Sequence, residues 1–288
     1  MNNSTVNFTT PETSTNSTIH SIRPMDFVEI CILSMNFMFG LPTNIYVIWL
    51  IITGTGSGVA SEFFNLNLST CEIGTCLNGL LSILSKCFSS LSLIPLFLQG
   101  LILTGRPLFH CLICVERYLA VVHPVTFLKY KPLRHRVICC TIVWIIILGS
   151  CFYSLFIIIS QNFHTHLWFF STQFLLFFSI QLFCLVAVLR ALKQSGPGER
   201  GRERKEENHK KRRAFYLILI TTVSMSFTYV PFTVTGFYII LTQQNNDGYW
   251  LPGLVCYMLA GFVQPVLYLH RTGKLPLFLI RHAIVIFH

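Results

Sequence analysis

Cys114-Val115-Glu116-Arg117-Tyr118-Leu119-Ala120-Val121-Val122-His123-Pro124 closes a long apolar stretch with an acid–base pair, and a basic segment follows it. A charged pair at the mouth of an apolar helix is poorly placed for packing and well placed for a switch. The stretch leading into it, 88–122, is long enough to cross a bilayer at a strong tilt. A spanning helix needs roughly 20 apolar residues, because the hydrocarbon core is about 30 Å thick and each residue rises about 1.5 Å.

The rest of the chain has the same character. Of 288 residues, 53% are hydrophobic, 14% aromatic and only 11% charged, with a mean hydropathy of +0.62. Soluble domains carry about 25% charged residues, so the deficit places most of this chain in lipid. Apolar stretches at 26–52, 62–85, 88–122, 136–160, 167–192, 211–242 and 249–270 exhaust its length. The expected fold is an all-α membrane protein, a seven-transmembrane helix bundle with a short amphipathic C-terminal helix. Its expected parts are an extracellular glycosylated tail (1–25), the membrane domain (26–270) and a short cytoplasmic tail with an eighth helix (271–288).

Charge sets the topology. The formal net charge is +10, and the basic residues cluster between spans. Lys129, Lys131, Arg134 and Arg136 follow the third. A Gly- and charge-rich loop, Gln194 to Lys210, follows the fifth with Arg200, Arg202, Arg204 and Lys205, and leads into Lys211, Arg212 and Arg213. Arg271, Lys274 and Arg281 follow the seventh, whereas the opposite side offers Arg23 and Lys86. Positive-inside bias puts the N-terminus outside and the C-terminus in the cytosol. Acceptor sequons at Asn2, Asn3, Asn7 and Asn16 agree. Residues 1–25 contain no apolar core of a cleavable signal peptide. The expected location is the plasma membrane, multi-pass, with the bilayer as partner and no nucleic acid, since the basic clusters sit beside apolar spans.

Several function classes are disfavoured. No internal repeat supports a transporter of duplicated halves. There is no His-Glu-x-x-His and no pair of intramembrane aspartates, so the chain does not read as an enzyme, and no cofactor or metal site is expected. Cys111 and Cys114 have redox-motif spacing but form one turn of an apolar helix, where thiols act as small hydrophobes. His164 and His166 read as solvated loop polarity.

Two ionisable residues fall inside spans. Glu72 lies eleven residues beyond Ser61, and Arg106 eleven residues before Arg117, so each sits about 16 Å from the same membrane face at 1.5 Å per residue. An unpaired charge there costs roughly 2.5–3.5 kcal/mol even on a lenient scale, which predicts an intramembrane ion pair. A neutral Glu72 with Arg106 facing a water cavity is the alternative.

With this frame, Glu116-Arg117-Tyr118 resembles the Glu/Asp-Arg-Tyr signature of rhodopsin-like (class A) G-protein-coupled receptors. Other motifs fall in the family's order. Asn44 in Gly40-Leu41-Pro42-Thr43-Asn44 matches the first-span asparagine. Asn67-Leu68-Ser69-Thr70-Cys71-Glu72 resembles the second-span Asn-Leu-Ala-x-x-Asp. Trp144 matches the fourth-span tryptophan and reads as packing or lipid contact. Phe227-Thr228-Tyr229-Val230-Pro231-Phe232 resembles Cys-Trp-x-Pro, and Gln264-Pro265-Val266-Leu267-Tyr268 resembles Asn-Pro-x-x-Tyr.

The resemblance implies a cell-surface receptor that couples an extracellular ligand to a heterotrimeric G protein. It makes Glu116, Arg117, Tyr118, Pro265 and Tyr268 the coupling switch, with Arg117 facing the G protein in the active state. It places ligand between the third, fifth, sixth and seventh spans, at Gln99, Tyr229, Phe232 and Thr233. Gln99 stands where amine receptors carry aspartate, and Met258 where opsins carry the retinal lysine. With no Lys or Arg among these positions, a lipid-like or weakly polar ligand is expected. Related receptors hold sodium between a second-span acid and a third-span hydroxyl; Arg106 occupies the hydroxyl's position, and its charge replaces the cation. The chain also departs from the family. Ser92 replaces the cysteine of the usual outer disulfide, so none is expected, and the fifth span lacks proline and tyrosine. These departures keep an alternative open: a receptor-fold protein without G-protein coupling, acting as a scaffold or heterodimer partner.

Overall fold

The computed structural model describes residues 24–53, 62–130, 132–160, 162–194, 202–242 and 247–273. The sequons and the expected eighth helix from 274 onward lie outside them. Among the described residues, seven long helices form a bundle: α1 (24–52), α2 (Phe63–Cys87), α3 (Ser89–Val122), α4 (Leu133–Ile159), α5 (Phe163–Gln194), α6 (Arg202–Thr242) and α7 (247–271). No strand occurs among the described residues. Six of the seven are long and apolar enough to cross a membrane. The other is α2, whose composition is diluted by Asn65, Asn67, Glu72, Asn78 and Lys86.

The bundle is arranged for lipid as solvent. Ile142, Ile145, Leu148, Phe152 and Phe156 of α4 are exposed, while Thr104, Ser154, Gln181 and Thr221 are fully buried. A helix satisfies its own backbone, so apolar side chains can face hydrocarbon and polar ones turn inward to find partners. α3 is the central element, packed against α2, α4, α5 and α6. It passes α4 closely: a Cβ added to Gly100 would lie 2.4 Å from the backbone nitrogen of Cys151. Near this crossing Thr104, Ser150 and Gln173 link α3, α4 and α5 at 2.6 and 3.1 Å. All eleven cysteines are free thiols, including Cys87.

Four irregularities set the rotation of the side chains. α1 contains a π-helical turn at Asn36–Gly40, and α3 one at Leu101–Gly105. Each widens the helix locally and turns the following residues relative to a regular α-helix. Asn44 Nδ2 donates to the Gly40 carbonyl at 2.9 Å, at the exit of the first. α7 is broken at Phe262, between Leu251–Gly261 and Val263–Arg271. Pro231 sits inside α6, where it removes one backbone hydrogen bond.

Two stretches differ from the sequence reading. The latter half of the basic loop is helical, because α6 begins at Arg202 instead of 211. Its Glu, Lys and Arg residues are good helix formers, so the helix propagates beyond the apolar span. A short helix, Pro124–Tyr130, follows α3 and packs against it. Pro124 suits its first position, where the missing N–H costs nothing.

Candidate functional site

Arg106 is the first residue after the π segment of α3, and its guanidinium is clamped on three sides. Nε and Nη2 donate to Glu72 Oε1 and Oε2, each at 2.5 Å. Nη1 donates to the Tyr257 carbonyl at 3.2 Å, and Cζ lies 4.1 Å from the centroid of the Tyr257 ring. Arg106 is 3% exposed and Glu72 4%. The planar fork of arginine matches both carboxylate oxygens at once, and its face is free to stack on an aromatic ring. Gly261 makes room: a Cβ there would come within 3.1 Å of Nη2.

Tyr257 also lines a cavity of about 300 Å³ between α1, α2, α3, α6 and α7. Gln99, Tyr229, Phe232 and Met258 line it too, together with Asn36, Asn78 and Ser82. Thr233 does not; its hydroxyl donates to the Tyr229 carbonyl at 2.9 Å instead. Among the described residues, none of α5 lines this space. Phe170 and Phe174 of α5 fill the gap by packing on Tyr229 at 6.0 and 5.9 Å between ring centres, and Phe170 also meets Phe232 at 6.3 Å. The cavity is thereby pushed toward α1 and α2. At its rim, Lys86 Nζ bridges Asp26 and Glu29 at 3.1 and 2.6 Å, tying α2 to α1.

At the opposite end of α3, Glu116 reaches across to α4. Arg136 Nη2 donates to Glu116 Oε1 at 2.5 Å, with both residues buried, and Arg136 Cζ lies 5.8 Å from the Phe64 ring. A second cavity, about 250 Å³, opens beside this pair, walled by Phe64, Leu112, Val115, Leu119, Phe127 and Cys139. Arg117, the next residue, is half-buried. Tyr118 Oη and His123 Nε2 form a hydrogen bond at 3.1 Å, and the Tyr118 ring meets Phe183 of α5 edge-on. Pro265 is buried, and Tyr268 packs with Val47, Leu50 and Ile51 of α1.

The profile of the family described as "7 transmembrane receptor (rhodopsin family)" matches residues 43–268. The chain belongs to that family. It is also similar to C-C chemokine receptor type 8 of Homo sapiens, 26% identical over 232 residues that cover 70% of this chain and 60% of that protein. The chain thus spans about 60% of the length of the curated relative it matches.

Within the receptor frame, some residues do more than the sequence reading assigned them. Trp144 is a polar tie as well as a packing residue: its indole N–H donates to Asn67 Oδ1 at 2.9 Å, joining α4 to α2, while its ring meets Phe109. His164 and His166 are not in a loop but on the first turn of α5, and His166 is buried. Among the described residues no group of His, Cys, Asp and Glu could hold a metal ion. Arg136, Lys86 and Asn78 were missed as site residues. Thr75, Asn78 and Ser82 do recur at helical spacing on α2, so a polar stripe was there to be read. Which helix it faced was not.

Proposed function

We propose that this chain is a plasma-membrane receptor, N-terminus outside, that couples a small extracellular ligand in the 300 Å³ cavity to activation of a heterotrimeric G protein. The observation that supports the reading is the double role of Tyr257. The residue lines the cavity, and its ring and carbonyl hold Arg106, which holds Glu72. A ligand that moves Tyr257 therefore changes the packing of a buried ion pair joining α2, α3 and α7. Such an interior tolerates discrete rearrangement better than continuous deformation. α3 then carries the change to Glu116, Arg117 and Tyr118 at its other end. Sodium has no place in this scheme, because both Glu72 oxygens are occupied by Arg106. The cavity's small size and mixed lining favour a weakly polar ligand.

Guanine-nucleotide exchange, measured in membranes with co-expressed G proteins, tests the proposal. Exchange above that of membranes lacking the chain is expected, and Arg117→Ala should abolish it at unchanged surface level. Absence of exchange across the G-protein classes would favour the second reading, a non-coupling scaffold or heterodimer partner. That reading draws its support from α5, which offers no tyrosine to join Tyr268.

A further inference from the structure

We propose that the cavity beside Glu116 and Arg136 holds one acyl chain of an anionic phospholipid, whose head group is met by the basic segment between α3 and α4. The site lies at the end of the bundle opposite the ligand cavity, and it stands whether or not the chain couples to a G protein. The cavity measures about 250 Å³ and is walled by Leu112, Val115 and Leu119 of α3, Phe127 of the short helix and Cys139 of α4. The ionisable side chains in its lining, besides the Cys139 thiol, are His135 and the Glu116–Arg136 pair, and that pair is bonded internally. A charged ligand would lose its water there and gain little, whereas a hydrocarbon chain loses nothing.

The walls are open on the lipid side. Leu112, Val115, Leu119 and Phe127 are half-buried and Cys139 is exposed. Cys139 shares a helical face with Ile142 and Ile146, and both of these are exposed apolar side chains. The groove thus continues onto the hydrocarbon-facing flank of α4. Charge at the rim decides which lipid enters. The connection from His123 to His135 contains Lys129, Lys131 and Arg134 and no Asp or Glu. Arg134 is exposed at the start of α4, one residue before His135 of the cavity wall. At about 1.5 Å of rise per residue, Cys139 lies about 7.5 Å beyond Arg134 along α4, so a head group at the basic rim puts its chain alongside the cavity. Lys and Arg clustered beside a span attract anionic phospholipids, and a zwitterionic one gains no comparable attraction. A chain in the cavity also keeps water from the adjoining Glu116–Arg136 pair, which strengthens its attraction.

The whole receptor in detergent, equilibrated with an equal mixture of phosphatidylserine and phosphatidylcholine of the same chains, tests this. Retained lipid is counted by native mass spectrometry. Retention of phosphatidylserine about tenfold over phosphatidylcholine is expected, the scale of one or two engaged basic residues. Phosphatidylserine carrying a diazirine in its acyl chain should label peptides that contain Val115, Phe127 or Cys139. Cys139→Phe fills the groove from its exposed rim and should cut both retention and labelling, while Cys139→Ser leaves it open and should preserve them. Lys131→Gln combined with Arg134→Gln should bring the lipid ratio near unity. Melting curves in phosphatidylcholine alone establish that each variant is folded. Equal retention of the two lipids by the wild type would overturn the proposal, as would labelling confined to other helices or full retention by folded Cys139→Phe. Nucleotide exchange is not read in this experiment, so a receptor that fails to couple and a lipid site that is absent give separate results.

Discussion

Glu116 and Arg136 meet across the α3–α4 interface at 2.5 Å, 9% and 5% exposed, although twenty residues separate them in the chain. The acid of the Glu-Arg-Tyr run is thus bonded to a neighbouring helix, beside a cavity, and not only adjacent in sequence to Arg117. Movement of α3 against α4 must stretch or break this bond. Arg136 thereby ties the Glu-Arg-Tyr end of α3 to α4.

Removing one partner of this pair leaves a buried charge. Arg136→Leu and Glu116→Leu should each lower stability by about 3–5 kcal/mol, the usual cost of breaking a buried pair. The double leucine variant should recover much of the loss. Thermal unfolding of the purified receptor measures all three. Strictly additive losses would show that the residues do not couple.

The Glu72–Arg106 pair should behave alike at greater depth. Glu72→Leu and Arg106→Leu should each reduce folded protein sharply, and the double leucine variant should restore much of it, because two apolar side chains need no counter-ion. Basal nucleotide exchange of the wild type should be insensitive to sodium. Arg106→Ser should introduce sodium dependence by freeing the carboxylate. A clear sodium effect on the wild type would mean that Glu72 holds an ion.

Two glycines should respond in opposite directions. At Gly100 a Cβ would sit 2.4 Å from Cys151 nitrogen and 2.5 Å from its Cα, against backbone that cannot move aside. Gly100→Ala should cost about 1–3 kcal/mol through overpacking of the α3–α4 crossing. At Gly149, on the exposed side of α4, nothing lies within 4 Å of an added Cβ. Gly149→Ala should be neutral, or stabilise by up to about 1 kcal/mol through reduced chain entropy. Paired melting curves decide this, and equal losses at both positions would contradict the close approach.

Topology has a direct check. Because the basic residues gather on one side of the spans, an N-terminal tag should be reachable by antibody on intact cells and a C-terminal tag only after permeabilisation. The reverse pattern would overturn the assignment of Lys86 to the outer face.

Sequence reasoning went furthest where constraints act along the chain. The depths of Glu72 and Arg106 could be counted, since rise per residue is constant and a lone charge in lipid demands a partner. It went least far where an extra residue changes a helix's rotation. Asn36–Gly40 and Leu101–Gly105 carry no local signal for a wide turn, so the facing of residues beyond them was not legible. Thr233 illustrates the limit: it lies one turn beyond Tyr229 on the same helix, yet its hydroxyl donates to that residue's carbonyl and it does not line the cavity.

By itself the sequence determined that this protein is a bundle of membrane helices, which loops are basic, and that two charges share one depth. The bilayer imposes span length, charge placement and charge cost on each segment separately, so these can be read segment by segment. Only the tertiary structure decided which faces meet. Arg136 reaches Glu116, Trp144 reaches Asn67, and Phe170 and Phe174 close the α5 side so that the cavity opens toward α1 and α2. Such pairings depend on helix rotation and on side-chain volume summed over several helices, and no stretch of one helix encodes them alone.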